Sequence, residues 1–188
     1  MENLGVMMEV FQFGEKNNLQ KTKIIAAFAG TGKTYCAKKH ENVLDFDYLF
    51  LKFSYEDELL KTKKFEELKG IKKGRSLNPQ WPQNFITQLF ENMQKYDVIL
   101  IPANDEILSY LEENKLDYIL CYPKVECKSI YMKRYLDRGT NQEWIQNMDK
   151  NFEEYVNGFD LLKCKKIILE QDETLEDKLI EINYIKKL

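Results

Sequence analysis

The chain has 188 residues, 44% of them hydrophobic, with a net charge of -3. That length suits one domain with a sizeable core, and the near-neutral balance argues against a general nucleic-acid binder. No run reaches the roughly 18–20 apolar residues needed to span a bilayer, so no membrane partner is expected.

Taken in chain order, residues 1–20 form an N-terminal extension. Its "VMMEVFQF" fits an edge strand or a short helix equally, and the segment has no basic region of the kind that opens a signal peptide. "KIIAAF" (23–28) is a short apolar run suited to a strand buried on both faces, and "GKTYCAKKH" then opens a helix. "NVLDFD" (42–47) reads as a second strand ending in acids. Residues 55–75 are polar and lysine-rich with helical spacing of Leu59, Leu60, Phe65 and Leu68, and Gly70 and Gly74 end or interrupt that helix. "NPQWP" (78–82) is a turn, with Pro82 opening the helix "QNFITQLFENMQKY". "DVILIPA" (97–103) is a third strand, "NDEILSYLEENK" a helix with an Asn or Asp cap, and "DYILCYP" (117–123) a fourth strand. "ECKSIYMKRYLDRG" predicts a helix closed by Gly139. A long amphipathic helix (141–159), the strand "KKIILE" (165–170) and a closing helix complete the chain.

Strands that are apolar runs and alternate with helices predict a parallel sheet covered on both faces. The expected fold is α/β, a three-layer α/β/α sandwich around a five-stranded, mainly parallel sheet, in one domain spanning 1–188. Of the four cysteines none forms a C-x-x-C pair, and His40 is the sole histidine, which argues against zinc and for a reducing, cytoplasmic setting. Cys36, His40, Trp144 and Phe152 read as structural. The spacing of eight between the last two matches one helix face.

The strand-to-helix junction carries the strongest motif. The phosphate-loop pattern G-x-x-x-x-G-K-[ST] is met by Ala27, Phe28, Ala29, Gly30, Thr31, Gly32, Lys33 and Thr34, with alanine in place of the first glycine. Glycines let the backbone curl around an anion, and the loop amides with the first helical amides point inward. Lys33 can reach the β- and γ-phosphates and Thr34 can offer its hydroxyl to Mg2+. The expected nucleotide-binding set is Phe28, Ala29, Gly30, Thr31, Gly32, Lys33, Thr34 and Tyr35. ATP is the expected nucleotide, because the GTP-selecting N-K-x-D motif is absent.

Two further groups converge on that loop. Asp45 and Asp47 lie two apart at the end of the second strand, at the sheet edge where ligands of open α/β sheets bind. Asp45 is expected to hold Mg2+ or take a proton, and Asp47 to meet the acceptor. Turn-capping acids are the plainer alternative. The third strand ends without an acid, which throws the metal-binding role onto Asp45. Arg134 and Arg138, two of three arginines in the chain, lie four apart on one helical face, with Lys133 beside them. Phosphoryl transfer needs such cations where charge spreads over equatorial oxygens. A solvated helix face is the alternative.

This order of parts resembles the nucleoside-monophosphate-kinase group of P-loop proteins, which includes adenylate, shikimate and gluconate kinases. A closer resemblance is to small phage-type P-loop proteins described as kinase-like for deoxynucleoside monophosphates. It rests on "AAFAGTGKT", "VLDFD", "NPQWPQNFI", "DVILIPA", "YILCYP" and "YMKRYLDRG". The resemblance implies a P-loop fold of the nucleotide-kinase type, an acceptor-binding region over 48–92 and an arginine lid over 126–141. It implies ATP and Mg2+ as cofactors. Ala27 and the missing acid after the third strand are departures from that pattern.

In the acceptor region Trp81 and Phe85 are candidates to stack on a base, Arg75 to grip its phosphate from a closing loop, and Lys52 and Tyr55 to assist. Trp81 and Phe85 serve equally well as staples of the turn to the core. The expected activity is transfer of the γ-phosphate of ATP to a small acceptor, a (deoxy)nucleoside monophosphate or nucleoside, by a monomer or homodimer. A nucleotide-binding switch without transfer and a nucleic-acid end kinase are the alternatives. The lack of a basic surface counts against the last.

Overall fold

A computed structural model describes residues 22–187; the ambiguous "VMMEVFQF" lies outside them. Strand β1 (Lys23–Ala27) leads through a glycine loop into helix α1 (Lys33–Lys39) and strand β2 (Val43–Asp45). An insertion follows: α2 (Leu49–Lys52), β3 (Phe53–Tyr55), α3 (Asp57–Thr62), α4 (Phe65–Leu68) and β4 (Arg75–Leu77). Then come α5 (Gln83–Met93), β5 (Val98–Pro102), α6 (Asp105–Glu113) and β6 (Ile119–Pro123). The chain closes with α7 (Lys128–Asp137), α8 (Gln142–Asp160), β7 (Lys165–Leu169) and α9 (Leu175–Glu181).

Five strands form one parallel sheet in the order β2-β5-β1-β6-β7. Ile25 is in register with Leu100 on one side and Ile119 on the other. The central strand is apolar at every buried position because each face meets helices. Ile24, Ala26 and Phe28 face a core built with Phe85 and Leu89 of α5, Leu111 of α6, Tyr131 of α7 and Phe152 of α8. Ile25 and Ala27 face the opposite core, with Cys36 of α1 and Leu175 and Leu179 of α9. Alternate residues of a strand point to opposite faces, so a two-sided core reads as an unbroken apolar run. The three-layer α/β/α expectation is met.

Local signals explain several boundaries. The Asn104 side chain caps α6 by accepting from the amides of Glu106 and Ile107. Asn141 does the same for α8 through Trp144. Along α8 the buried residues Ile145, Met148, Phe152, Val156 and Phe159 recur at three- and four-residue steps, one face of a helix.

Two expectations are corrected. The second strand stops at Asp45, short of Asp47. Residues 55–75 are not one interrupted helix. They hold two short helices, α3 and α4, and their ends belong to an antiparallel pair, β3–β4, in which Tyr55 faces Arg75 and Phe53 faces Leu77. Three-residue strands are too short to show a period of two in sequence.

Candidate functional site

The site lies where the sheet's connections part. From β1 the chain crosses through α1 on one face towards β2. From β6 it crosses through α7 and α8 on the other face to β7. Adjacent strands whose connections leave on opposite faces open a crevice at their carboxyl ends, the usual ligand position in open α/β sheets. Residues 28–32 occupy that crevice.

Gly30 and Gly32 take φ of +84° and +101°, a region that side-chain-bearing residues rarely adopt. Buried Thr31 donates its hydroxyl to the Phe28 carbonyl at 2.9 Å, tightening the curl. Lys33 Nζ reaches back over the loop to the carbonyls of Ala27 (2.8 Å) and Phe28 (3.3 Å). Burial lowers its pKa to about 8, against the opposing pull of Asp45 and Asp47, with Lys69 and Arg138 lowering it further. The alanine at the motif's first position is the last residue of β1 and is fully buried. The non-glycine residues with positive φ among those described are Lys115 and Asn183, so position 27 makes no demand that alanine fails to meet.

Asp45, at the carboxyl end of β2, accepts the Thr34 hydroxyl through Oδ2 at 2.5 Å. Its Oδ1 is buried without a hydrogen-bond partner. Thr34 Oγ1 and the Asp45 carboxylate thus present converging oxygens beside the lysine. That set suits a hard divalent cation that keeps most of its waters and uses one or two protein oxygens. Among the described residues no cluster of three or more His, Cys, Asp or Glu forms a metal cage, which agrees with so sparse a donor set. Asp47 takes the plainer role in part: Oδ1 accepts from the Leu49 amide at 2.9 Å, at the start of α2, while Oδ2 lies 3.7 Å from Lys69 Nζ.

Helix α7 packs directly on the glycine loop. The Tyr135 hydroxyl donates to the Ala29 carbonyl at 2.8 Å, and Arg134 Nη1 to the Gly30 carbonyl at 3.1 Å. Arg134 lies over the Tyr131 ring and Arg138 over the Tyr135 ring. Arg138 Nε contacts the Thr140 hydroxyl (2.8 Å) and Glu66 Oε2 (3.2 Å). Both arginines foreseen in sequence therefore border the loop region, whereas Lys133 is exposed. Phe28 contributes backbone only, since its ring packs edge-on to Phe152 and Phe159 in the core. Tyr35 is exposed, with the Lys39 ammonium 4.3 Å from its ring centre.

In the insertion the expectations fare unevenly. Phe85 is fully buried and stacks on Phe46 at 4.7 Å, so its ring has no face to offer a base; this corrects the stacking role. Trp81 is partly buried, donates Nε1–H to Glu106 at 3.1 Å and packs beside Tyr48. Lys52 pairs with the same Glu106 and lies over the Trp81 ring. Arg75 is a strand residue, not a loop residue. Its guanidinium sits 3.9 Å over Phe53. Buried Tyr55 donates to the Leu68 carbonyl. The structure thus groups Trp81 with Lys52 and Glu106, and gathers Arg75 with Phe53 and Tyr55 on the hairpin.

Sequence reasoning missed Glu66, Lys69, Tyr131 and Tyr135. Tyr131 and Tyr135 each sit three residues before an arginine, Arg134 and Arg138, which is a usable signal. Lys69 carries none, since it stands among Lys61, Lys63, Lys64, Lys72 and Lys73.

No family model and no curated protein matches the chain. A crystal structure of an uncharacterized protein from Eubacterium ventriosum is similar over 88% of this chain and 98% of that chain, at 18% identity and a TM-score of 0.40. Among the described residues no helix is long and apolar enough to cross a membrane.

Proposed function

We propose that the chain is an ATP-dependent phosphotransferase with a P-loop fold of the nucleotide-kinase type. It moves the γ-phosphate to a small acceptor, a (deoxy)nucleoside monophosphate or nucleoside. The observation that carries this reading is the Thr34–Asp45 contact of 2.5 Å beside the lysine of a glycine loop. Lys33 and Thr34 from the first turn of α1 and Asp45 from the end of β2 would serve a nucleotide's terminal phosphates and their cation.

In this reading the curl at Gly30–Gly32 cradles the phosphates and Lys33 exchanges its carbonyl partners for phosphate oxygens. Thr34 and Asp45 would hold Mg2+, which when bound neutralises charge on the phosphate oxygens. Arg134 and Arg138 approach the transferring group from α7. The acceptor enters beyond Asp47, under the insertion. Positioning and electrostatics, more than covalent chemistry, lower the barrier.

A nucleotide-binding switch without transfer is the second reading. It is favoured by one feature: Arg134 gives a terminal nitrogen to the Gly30 carbonyl and Tyr135 its hydroxyl to the Ala29 carbonyl. Phosphate would have to exchange these partners, which is how a sensor changes shape.

The test is incubation with γ-labelled ATP, Mg2+ and a panel of nucleosides, nucleoside monophosphates and short DNA ends. Label on a nucleoside or monophosphate supports the phosphotransferase. Nucleotide binding with no transfer to any of them overturns it in favour of the switch.

A further inference from the structure

The turn at residues 66–69 carries charges that the scheme above leaves unused. Glu66 Oε2 lies 3.2 Å from Arg138 Nε, and Glu66 Oε1 lies 3.2 Å from Lys69 Nζ. Lys69 Nζ in turn is 3.7 Å from Asp47 Oδ2. Asp47, Lys69, Glu66 and Arg138 therefore alternate in sign across three segments of chain. The row reaches the glycine loop at Arg138, which lies over the ring of Tyr135, whose hydroxyl is bonded to the Ala29 carbonyl.

The backbone around Lys69 is held on both sides. Leu68 is 2% exposed and packs with Leu49 and Tyr55. Gly70, at φ +86°, approaches α8 so closely that a Cβ there would lie 2.9 Å from Trp144 Cβ. The Lys69 ammonium is also 4.7 Å from the Phe65 ring centre. Its side chain keeps 21% of its surface open, enough to change partners. At Arg138, both described polar contacts fall on Nε. That arrangement leaves the terminal fork of the guanidinium to grip an anion.

We propose that this turn couples the acceptor to the lid, a proposal that rests on the phosphotransferase reading. Lys69 is the specificity-determining cation and takes a phosphomonoester group on the acceptor, the part that Arg75 on its hairpin does not play. Glu66 is a positioning residue: its carboxylate, 3.2 Å from Arg138 Nε, holds the guanidinium by charge while Nε donates to Thr140, and the terminal nitrogens are thereby aimed at the transferring group. One turn of chain thereby registers the acceptor's charge and sets the lid arginine.

The chemistry agrees. A monoester oxygen of the acceptor attacks the γ-phosphorus, the bond from that phosphorus to the β-phosphate bridging oxygen breaks, and ADP leaves with the electron pair. No proton is released, so no general base is needed. The acids nearby are otherwise engaged: Asp47 with the Leu49 amide and Lys69, Asp45 with Thr34. A neutral nucleoside would bring no charge to Lys69 and would need a base for its hydroxyl proton.

The test uses the full chain and its Lys69→Met, Glu66→Gln, Glu66→Asp and Lys33→Met variants. Mg-ADP affinity is measured by calorimetry, and kcat and KM with the four deoxynucleoside monophosphates and their nucleosides. Inorganic phosphate serves as a competing anion. Lys69→Met is expected to raise the monophosphate KM roughly 10- to 100-fold, the value of one charged hydrogen bond, with Mg-ADP affinity within about twofold. Phosphate should compete with the monophosphate in the parent and more weakly in Lys69→Met. Glu66→Gln should lower kcat roughly tenfold while acceptor KM holds or falls, since Lys69 loses a competing carboxylate, with Glu66→Asp recovering part of the kcat. An unchanged monophosphate KM in Lys69→Met, or a preference of the parent for nucleosides, overturns the anion grip. An unchanged kcat in Glu66→Gln overturns the positioning role. Mg-ADP binding that is absent in the parent, or undiminished in Lys33→Met, overturns the phosphotransferase reading itself and this proposal with it.

Discussion

Tyr135 and Gly30 are fitted to each other across 105 residues of chain. A Cβ on Gly30 would lie 3.0 Å from Tyr135 Cε1 and 3.2 Å from Tyr131 Cδ1, and the Tyr135 hydroxyl is bonded to the neighbouring Ala29 carbonyl. The lid helix is therefore packed on the loop's backbone, and the shape of the loop depends on two buried tyrosines as well as on its own glycines. Gly30→Ala has to open this contact and hold alanine at φ +84°. A cost of about 2–4 kcal/mol is expected from overpacking and left-handed strain together, seen as a lower thermal midpoint. Tyr135→Phe keeps the ring and loses only the hydrogen bond, at about 1–2 kcal/mol.

Asp45→Asn tests the Thr34 pair. The amide can still accept the Thr34 hydroxyl, so the fold should persist, but the charge that suits a divalent cation is gone. Phosphotransfer is expected to fall roughly 100-fold or more, with the Mg2+ dependence of nucleotide affinity flattened. Asp45 also raises the Lys33 pKa, so its loss should move that lysine lower still. A variant that binds Mg-ADP better than ADP by the parent's margin would remove Asp45 from the cation site.

Lys33 gives a signature in pH. Its folded pKa of about 8 lies below the ordinary 10.5. Below pH 8 both folded and unfolded chains hold the proton, and the cost of burying the charge is present in full. Between pH 8 and 10.5 the folded chain sheds the proton first while the unfolded chain keeps it, so this group's contribution makes stability rise with pH. Urea midpoints at pH 7.5 and 9.5 should show that rise in the parent relative to Lys33→Met. Polyphosphate favours the charged lysine, so nucleotide binding above pH 8 should take up a proton. Calorimetry in buffers of different ionisation enthalpy measures that uptake directly.

Phe85 separates core from ligand contact. It is fully buried and stacked on Phe46. Phe85→Ala is expected to cost about 3–5 kcal/mol, read as a lower denaturation midpoint. Trp81→Phe instead loses the bond to Glu106 and should act mainly on acceptor KM. Equal loss of stability in both variants would make Trp81 a core residue too.

Much of the fold is legible in the sequence. Strands β1, β5 and β6 announced themselves as apolar runs because both faces are covered, and the glycine loop because its residues follow one another in the chain. Asp45 and Arg134 do meet the loop region, Asp45 through Thr34 and Arg134 through the Gly30 carbonyl. The insertion was not legible. Its strands of three residues have no readable period, the two glycines before Arg75 suggest a loop, and nothing local decides whether Phe85 stacks on a base or staples the core, because Phe46, its partner, lies 39 residues away.

The amino-acid sequence by itself determined the alternation of elements, the two-sided sheet and the curled loop with its lysine and threonine. These depend on hydrogen bonds, backbone angles and burial patterns set by near neighbours. Only the tertiary structure decided which charges meet: Thr34 with Asp45, Arg134 with Gly30, and Lys69 between Asp47 and Glu66. A charged side chain has no periodicity to betray its partner. The pairing follows from how the packed faces of the sheet bring distant segments to one edge.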